Sequence, residues 1–353
     1  MTVYIVDIEA VETRYTAQWK THLPVQLQQA LVCDTAVLDE VEEISGGDTP
    51  QATTPGAFLN FGGTNVYKSN QLMQIATMFC NGVVKDGDYF LYTDAWNPTV
   101  IQLKYMAELL GVKIRIGGMW HAGSYDPQDF LGRLIGDAKW VRKAERSMFC
   151  CYDDNFFATQ FHLDMFKQSF PNAEQEQIHI VGWPMEYLKT ELAPYVGTAK
   201  ENIVLFPHRI APEKQPEIFR DLADTLPEYE FVFAQDKQLT KHEYHTLLAK
   251  SKIVFSANLQ ETLGISWYEG ALVGTVPMVP NRLSYSEMAP DSVLYDSSWT
   301  EDWDSYIANK QAIVSHIRET MQRNDTEQMC ADVVAKADEF FSGEALYNKI
   351  KGT

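Results

Sequence analysis

The sequence predicts an α/β protein with two parallel sheets, each flanked by helices. Short apolar runs alternate with helical patterns along most of the chain, which is typical of parallel strands joined by crossover helices. The chain has 353 residues, 45% of them hydrophobic, so it is long enough for two domains of ordinary size. Polar or glycine-containing loops follow several strands, and ligands bind at that edge of such sheets.

In the first half of the chain, strands are predicted at 3–8, 36–38, 57–61, 89–92, 113–116, 148–151 and 178–181. Helical patterns lie near 18–31, 66–81, 98–110, 127–135, 138–146 and 155–168. In the second half, strands are predicted at 202–206, 231–234, 253–255 and 276–279. Helices are predicted at 213–226, 240–250 and 265–273, and again after residue 299.

Two glutamates, Glu261 and Glu269, follow the predicted strand at 253–255. Glu261 lies in the loop before a predicted helix, Glu269 lies on that helix, and Gly264 permits close approach of the backbone to a ligand. Carboxylates accept hydrogen bonds from hydroxyls, while the free amides of a helix N-terminus attract anions. A sugar nucleotide carries both groups.

Arg209 and Lys214 lie in the loop after the predicted strand at 202–206. An arginine fork and a lysine charge are suited to a diphosphate whose charge grows as it leaves. Taken alone, the two residues also fit solvated loop cations. Their position upstream of the two glutamates favours the diphosphate role.

The stretch from Glu261 to Glu269 resembles the glutamate-x7-glutamate signature of retaining GT-B glycosyltransferases, most closely family 4. The resemblance implies that Glu261 lies by the donor sugar, Glu269 holds the ribose, and Arg209 and Lys214 bind the diphosphate. Within the same matching region, the expected donor site also includes Gln235, Thr262, Leu263 and Gly264. The match covers about residues 200–290, and the first half matches in architecture only.

The resemblance also implies two Rossmann-like domains that face each other across a cleft. We expect an acceptor-side domain at 1–182, a linker at 183–201, and a nucleotide-sugar domain at 202–326. The segment 327–353 is expected to be a helix that crosses back to the first domain.

Two residues of the first half are candidates for the reaction itself. In the family a histidine after a mid-domain strand reaches the donor sugar, and His121 occupies such a place, although a loop histidine is often merely exposed. Asp94 either orients or deprotonates an acceptor hydroxyl, or caps the helix that follows Pro98, and the capping role is favoured.

The acceptor side is predicted from loops at the ends of strands. Gly62, Gly63 and Trp120 are candidates to contact the acceptor, although a tight turn also explains the two glycines. Many family members carry a glycine-rich loop after the first strand, but residues 7–14 contain no glycine. Thr13 and Arg14 are therefore the acceptor candidates there.

The predicted activity is transfer of a sugar from a nucleotide diphosphate donor, expected to be a UDP-sugar, to a hydroxyl acceptor with retained configuration. No protein nucleophile is evident, which favours front-face attack in which the departing phosphate takes the acceptor proton. A UDP-sugar epimerase of the same architecture and a non-catalytic nucleotide-sugar-binding protein are the alternatives. The acceptor is a saccharide or another small molecule, or hydroxymethylated DNA, because residues 270–280 look similar to phage glycosyltransferases that modify DNA.

Composition excludes several classes of protein. The net charge of −19 disfavours broad adhesion to nucleic acid or anionic membranes, so a DNA acceptor would need the basic cluster at 133–146, for which a solvated helix face is the favoured explanation. There is no GxGxxG or Walker loop, and the two Asp-x-Asp pairs, at 86–88 and 302–304, read as a turn and a helix start, so neither a metal nor another cofactor is expected. Five cysteines without CxxC spacing and the absence of a signal-like or membrane-spanning segment predict a cytoplasmic protein, in the host cytoplasm if it is phage-encoded.

Overall fold

The structure, a computed structural model, describes residues 1–9, 15–32, 40–48, 60–136, 138–173 and 175–352. Its strands are β1 (Thr2–Val6), β2 (Glu40–Ile44), β3 (Tyr89–Tyr92), β4 (Arg115–Trp120), β5 (Asp154–Phe157), β6 (Ile178–Ile180), β7 (Ile203–Phe206), β8 (Glu230–Phe233), β9 (Ile253–Phe255), β10 (Val276–Pro280) and β11 (Leu294–Tyr295). Its helices are α1 (Tyr15–Val32), α2 (Phe61–Cys80), α3 (Thr99–Leu110), α4 (Phe130–Ile135), α5 (Lys139–Cys151), α6 (Gln160–Ser169), α7 (Tyr187–Leu192), α8 (Pro216–Thr225), α9 (Lys241–Lys250), α10 (Ile265–Leu272), α11 (Tyr285–Met288), α12 (Trp303–Gln322), α13 (Thr326–Ala337) and α14 (Glu344–Lys351).

The strands form two parallel sheets, as the sequence predicts. The first sheet has the order β2-β1-β3-β4-β5-β6, and the second has the order β11-β10-β9-β7-β8. Each sheet has its own apolar core, in which Trp120 and Phe166 belong to the first and Phe219 and Phe255 to the second. Parallel sheets with helical crossovers bury both faces, which explains the continuous apolar runs in the sequence.

Backbone contacts divide the chain into two compact units. The first contains Met1–Ala158, His162–Met185 and Ser342–Thr353, and the second contains Thr159–Phe161 and Glu186–Phe341. The sequence-based boundaries differ at the C-terminus, because residues up to Phe341 group with the second unit. Tyr268 explains this difference, since its ring stacks on Phe341 at 3.9 Å and its hydroxyl donates to Asp338. The last helix, α14, belongs to the first unit and packs on α1.

Two strands of the first sheet are poorly marked in the sequence. β5 carries Asp154 and Asn155, and the helical pattern before it runs to Cys151, so the predicted strand at 148–151 is wrong and lies in α5. Asp154 is tolerated there because it accepts hydrogen bonds from Arg115 at 2.8 Å and Tyr89 at 3.0 Å. The predicted helix at 155–168 consequently starts only at Gln160.

The edge strand β2 was also missed by the sequence pattern. It reads Glu-Val-Glu-Glu-Ile, and charged residues are common on edge strands because they discourage pairing with other chains. The predicted strand at 36–38 and residues 57–59 of the strand at 57–61 lie outside the described residues. Phe61 itself starts α2.

Adjacent glycines in β4 are required by packing. A Cβ atom at Gly117 would lie 2.7 Å from the Phe156 ring, and one at Gly118 would lie 2.7 Å from the Tyr152 ring. Real side chains do not approach so closely in well-packed cores. The two glycines therefore make room for aromatic rings on opposite faces of the sheet.

Gly117→Ala should destabilise the protein by about 1–3 kcal/mol, because the added methyl overpacks the sheet. Gly62→Ala is the matched control. Gly62 is exposed in the first turn of α2, and a Cβ atom there would make only an ordinary contact of 3.5 Å with Asn60 Oδ1, so alanine there should be neutral or stabilise by up to about 1 kcal/mol. Urea unfolding of both variants measures the difference, and equal stability of Gly117→Ala and the wild type would contradict the packing argument.

Candidate functional site

The second sheet changes direction at β7, which lies between β8 and β9. The chain leaves β7 towards β8 and leaves β9 towards β10, so the loops after β7 and β9 diverge and leave a crevice between them. Ligands of open α/β sheets bind at such a switch point. The loop after β7 carries Arg209 and Lys214, and the loop after β9 carries Glu261.

Lys214 and Glu261 form an ion pair between these two loops. The Lys214 Nζ lies 3.2 Å from Glu261 Oε2 and donates at 2.6 Å to the backbone carbonyl of Gln260. The Lys214 side chain is 8% exposed and the Glu261 side chain 19% exposed. The pair therefore places a lysine ammonium and a carboxylate side by side at the switch point.

Arg209 lies in the same loop as Lys214 and donates to Glu213. Glu213 is almost fully buried, and its backbone carbonyl accepts from the Leu259 amide at 2.8 Å, which ties the two loops together. Gln235, another predicted donor-site residue, accepts a hydrogen bond from the Ile210 amide. Gln235 therefore supports the loop that carries Arg209.

Two residues that sequence reasoning missed, the buried Gln215 and the partly buried Arg282, fix the loops in place. Gln215, in a left-handed conformation, donates at 2.7 Å to the backbone carbonyls of Ala257 and Thr300. Arg282 donates at 2.8 Å to the carbonyl of Asn258 and at 2.8 Å to that of Ala257. The only sequence signal for both is their place, just after Lys214 and just after β10.

Gly264 shapes the end of the loop after β9. Its φ of 76° is a left-handed conformation, and a Cβ atom there would lie 3.0 Å from both the Glu261 and Trp267 side chains. Leu263 is buried and accepts from the Trp267 indole at 3.3 Å, while the Thr262 carbonyl accepts from Thr159 at 3.3 Å. The helix α10 follows at once, and no side chain in the described chain caps its first turn.

Glu269 lies in the second turn of α10 and accepts a hydrogen bond from the Tyr244 hydroxyl at 3.1 Å. Burial raises the pKa of Glu269 to about 7, although the Tyr244 hydroxyl and the Lys241 ammonium each act to lower it. The carboxylate is thus poised between its acid and its base near neutral pH. Tyr244, on α9, was not anticipated from the sequence.

Asn258 is a further residue of this site that sequence reasoning missed. Its Nδ2 donates to Glu261 Oε2 at 3.3 Å and to the Tyr285 hydroxyl at 3.0 Å. The Glu261 carboxylate is therefore oriented by Lys214 and Asn258 together. A fixed carboxylate, two cations and an uncapped helix start can hold an anion and adjoining hydroxyls.

The first sheet has its own switch point between β1 and β3. After β1, Asp7 accepts hydrogen bonds from Tyr67 at 2.6 Å and Gln71 at 2.7 Å, and lies 3.1 Å from the Lys20 ammonium. The Ile8 amide donates to Thr93 Oγ1 at 2.9 Å, which joins the two loops. This buried polar cluster was not identified from the sequence.

Asp94 follows β3 but does not cap the helix α3. It lies 3.2 Å from the Lys68 ammonium and accepts from the Trp96 amide at 3.1 Å, whereas Asn97 accepts from the Thr99 amide at the helix start. Burial would raise the pKa of Asp94, but Lys68, His121 and the Trp96 amide together hold it below its usual value. The predicted capping role is wrong, and Asp94 is a partly buried, ionised carboxylate.

His121 follows β4 and is held by the backbone and by two indole rings. Its Nε2 lies 2.6 Å from the Thr93 carbonyl, and its ring lies 5.3 Å from the Trp19 ring and 5.2 Å from the Trp183 ring. The ring is partly exposed. His121 and Asp94 thus belong to one cluster at the carboxyl ends of β3 and β4.

Three of the acceptor-side candidates lie elsewhere than predicted. Trp120 is fully buried in the core of the first sheet and donates to Asn155 at 2.8 Å, because the last residue of β4 faces inwards. Gly62 and Gly63 belong to the first turn of α2, where Asn60 caps the Gly63 amide, and not to a loop. Thr13 and Arg14 lie outside the described residues.

Carboxylates of both Asp-x-Asp pairs accept hydrogen bonds from backbone amides. Asp88 accepts from the Thr2 and Lys85 amides, Asp86 accepts from the Lys113 amide, and Asp302 caps α12 through the Ser305 amide. Within the described ranges, no group of three or more His, Cys, Asp or Glu side chains could hold a metal ion. Likewise, none of the helices described here combines the length and apolar character needed to cross a bilayer.

No protein-family model matches the chain. Solved structures resemble it over almost its whole length at low sequence identity. The catalytic domain of starch synthase IV from Arabidopsis thaliana, bound to ADP and acarbose, superposes with a TM-score of 0.62 at 12% identity, covering 99% of this chain and 98% of that one. An α,α-trehalose-phosphate synthase (UDP-forming) from Burkholderia vietnamiensis gives 0.60 at 11% identity, covering 100% and 99%.

The N-terminal domain of a trehalose-6-phosphate phosphatase from Candida albicans gives a TM-score of 0.60 at 10% identity, covering 99% of this chain and 96% of that one. At such identities the likeness shows the fold. The predicted fold class is confirmed: the chain has the GT-B fold, with two Rossmann-like units.

Proposed function

We propose that the protein is a retaining glycosyltransferase that moves a sugar from a nucleotide diphosphate donor to a hydroxyl acceptor without a metal ion. The observation that carries the proposal is the ion pair between Lys214 and Glu261 at the switch point of the second sheet. Two solved relatives in fold support it, since one is described as UDP-forming and the other as bound to ADP. UDP is accordingly the first donor nucleotide to test.

In this proposal the diphosphate occupies the crevice between the loops after β7 and β9. Lys214 and Arg209 stabilise the charge that develops on the leaving diphosphate, and the uncapped amides of α10 add their dipole. Gly264 leaves room for the phosphates beside the backbone. Glu269, as a carboxylate, accepts hydrogen bonds from the ribose hydroxyls.

Glu261 lies by the sugar ring in this proposal, fixed in orientation by Lys214 and Asn258. As the bond to the diphosphate breaks, the sugar becomes oxocarbenium-like and a nearby carboxylate stabilises it. The acceptor hydroxyl attacks from the face that the diphosphate leaves, and a phosphate oxygen takes its proton. His121 is proposed to contact the donor sugar and Asp94 to orient the acceptor.

Lys214→Met should lower turnover by about 100-fold or more, because the fixed charge at the leaving group is lost. The assay is release of nucleoside diphosphate from a panel of nucleotide sugars, with and without candidate acceptors. Lys310→Met is the matched control, because Lys310 pairs with Asp221 in the same unit at 2.5 Å and has no place in the proposed site.

Unchanged turnover in Lys214→Met would contradict the proposal. Interconversion of free sugar nucleotides without any acceptor would instead indicate the epimerase. Nucleotide binding without transfer, hydrolysis or interconversion would indicate a binding protein.

Because the pKa of Glu269 is raised, we expect the preference for ribose over 2′-deoxyribose to depend on pH. Because its pKa is raised to about 7, the carboxylate that accepts from the ribose hydroxyls is present above pH 7 and lost below it. The affinity ratio of a nucleoside diphosphate over its 2′-deoxy form should therefore rise between pH 6 and pH 8. Both ligands carry the same diphosphate, so any effect of pH on the diphosphate cancels in the ratio. Calorimetric titration measures the two affinities.

Two variants sharpen the measurement on Glu269. Glu269→Gln should give a low ratio that does not change with pH. Tyr244→Phe removes a hydrogen bond that lowers the pKa, so the midpoint should move to higher pH. A ratio that stays constant in the wild type would show that Glu269 does not bind the ribose.

A specific observation favours a polyanionic acceptor such as hydroxymethylated DNA as the second candidate. Lys139, Lys143 and Arg146 are exposed at i, i+4 and i+7 of α5, beside Trp140, which is 58% exposed. Arg142, the other cation of this helix, instead faces inwards and pairs with Glu145. Cations in a row beside an exposed aromatic ring suit a nucleic-acid backbone and its bases.

Charge reversal of Lys139, Lys143 and Arg146 to glutamate should abolish transfer to hydroxymethylated DNA and its salt dependence, while donor hydrolysis stays unchanged. Lys349→Glu with Lys351→Glu, in α14 of the same unit, is the control for charge reversal at another part of the surface. Transfer to a saccharide with no activity on DNA in the wild type would remove the DNA acceptor and leave the small-molecule acceptor.

A further inference from the structure

His208 lies on the loop after β7 that carries Arg209 and Lys214, but neither sequence pattern nor family resemblance singled it out. It lies one residue beyond β7, after Pro207, directly precedes Arg209, and is 8% exposed. Its ring packs edge-on against Phe206 at 5.1 Å. The side chain is therefore buried at the switch point, on the loop that carries both proposed diphosphate ligands.

The hydrogen bonding of the ring is incomplete. The backbone carbonyl of Phe255, the last residue of β9, accepts a hydrogen bond from the ring. The Nε2 atom is buried and has no hydrogen-bond partner within the part of the chain that the structure covers. A neutral imidazole that donates from one nitrogen keeps a lone pair on the other, so Nε2 carries an unused lone pair inside the site.

The charges around His208 keep it neutral while the site is empty. Burial, and next the Lys214 ammonium, hold the pKa of His208 well below its ordinary value, and the Phe255 carbonyl opposes them. Glu261 already pairs with Lys214, and Arg209 already pairs with Glu213. Neither carboxylate is thus available to compensate a charge on the ring.

A bound diphosphate would favour the charged form of His208 over the neutral form. It brings at least two negative charges to the loop that carries His208, and an opposite charge within about 4–6 Å favours the charged form of a histidine. Direct contact is not required for this effect. The lone pair on Nε2 is the place where a proton from solvent can be accepted.

We propose that His208 takes up a proton from solvent when a nucleoside diphosphate binds, and so becomes a third cation beside Arg209 and Lys214. This inference rests on the proposed function, because it assumes a diphosphate in that crevice. The proton would be held while the diphosphate is present and released when the product leaves. Donor binding would then be linked to proton uptake at this one side chain.

The test is calorimetric titration of the wild type with UDP, ADP, GDP and CDP in buffers of different ionisation enthalpy. The dependence of the observed enthalpy on the buffer gives the number of protons taken up. Measurements at pH 8 keep Glu269 and the diphosphate ionised before and after binding, and a second set at pH 7 extends the range. The wild type should take up protons on binding at pH 8, and at both pH values it should take up more protons than a variant that lacks the His208 ring.

His208→Asn is the matched variant, because the asparagine amide can still donate to the Phe255 carbonyl but offers nothing at the Nε2 position. It should bind the diphosphate more weakly and take up fewer protons at both pH values. The corresponding nucleoside without phosphates should show no difference between the two proteins. If the variant does not fold, ¹⁵N-histidine spectra of the wild type report directly whether a ring nitrogen is protonated on binding.

Two failures can be told apart. Binding of a nucleoside diphosphate with the same proton number in the wild type and the variant, or with no change in any histidine ¹⁵N shift, overturns the role of His208 and leaves the proposed function intact. Absence of binding by all four diphosphates overturns the proposed function, and this inference with it.

Discussion

The candidate site depends on the ion pair between Lys214 and Glu261. The Lys214 side chain is only 8% exposed, and separating it from Glu261 would leave two largely buried charged groups without partners, so the pair keeps the loops after β7 and β9 close together. Gln215 joins the same two loops by donating to the Ala257 carbonyl, and Arg282, after β10, holds the second loop from its other side by donating to the Asn258 and Ala257 carbonyls. The pair is thus both a structural constraint and the source of a fixed charge at the switch point.

Each unit collects its polar groups where its sheet changes direction. In the second unit these are the two cations, Glu261 and the start of α10. In the first unit they are Asp7 after β1, Asp94 after β3 and His121 after β4. Parallel sheets produce this outcome because their strands all end at one edge, while the diverging loops leave that edge open. The same topology with other loop residues would serve another reaction.

Sequence reasoning succeeded where a local pattern carried the signal. Alternating strands and helices predicted both sheets, and the spacing of Glu261 and Glu269 pointed to the loop and helix on which the structure places them. It failed where tertiary contacts decide whether a segment forms a strand or which way a side chain faces. β5 was missed because Asp154 is made tolerable by Arg115 and Tyr89, and Trp120 was misplaced because only the packing shows which way the end of β4 faces. Gln215, Arg282 and His208 have no signature beyond their place after a strand or turn.

A crystal structure with a bound nucleoside diphosphate tests the central claim most directly. We expect the phosphates to lie between the loops after β7 and β9, within hydrogen-bond distance of Lys214 and Arg209 and beside Gly264, with the ribose against Glu269. Phosphates bound at the switch point of the first sheet, or at a surface distant from both sheets, would contradict it.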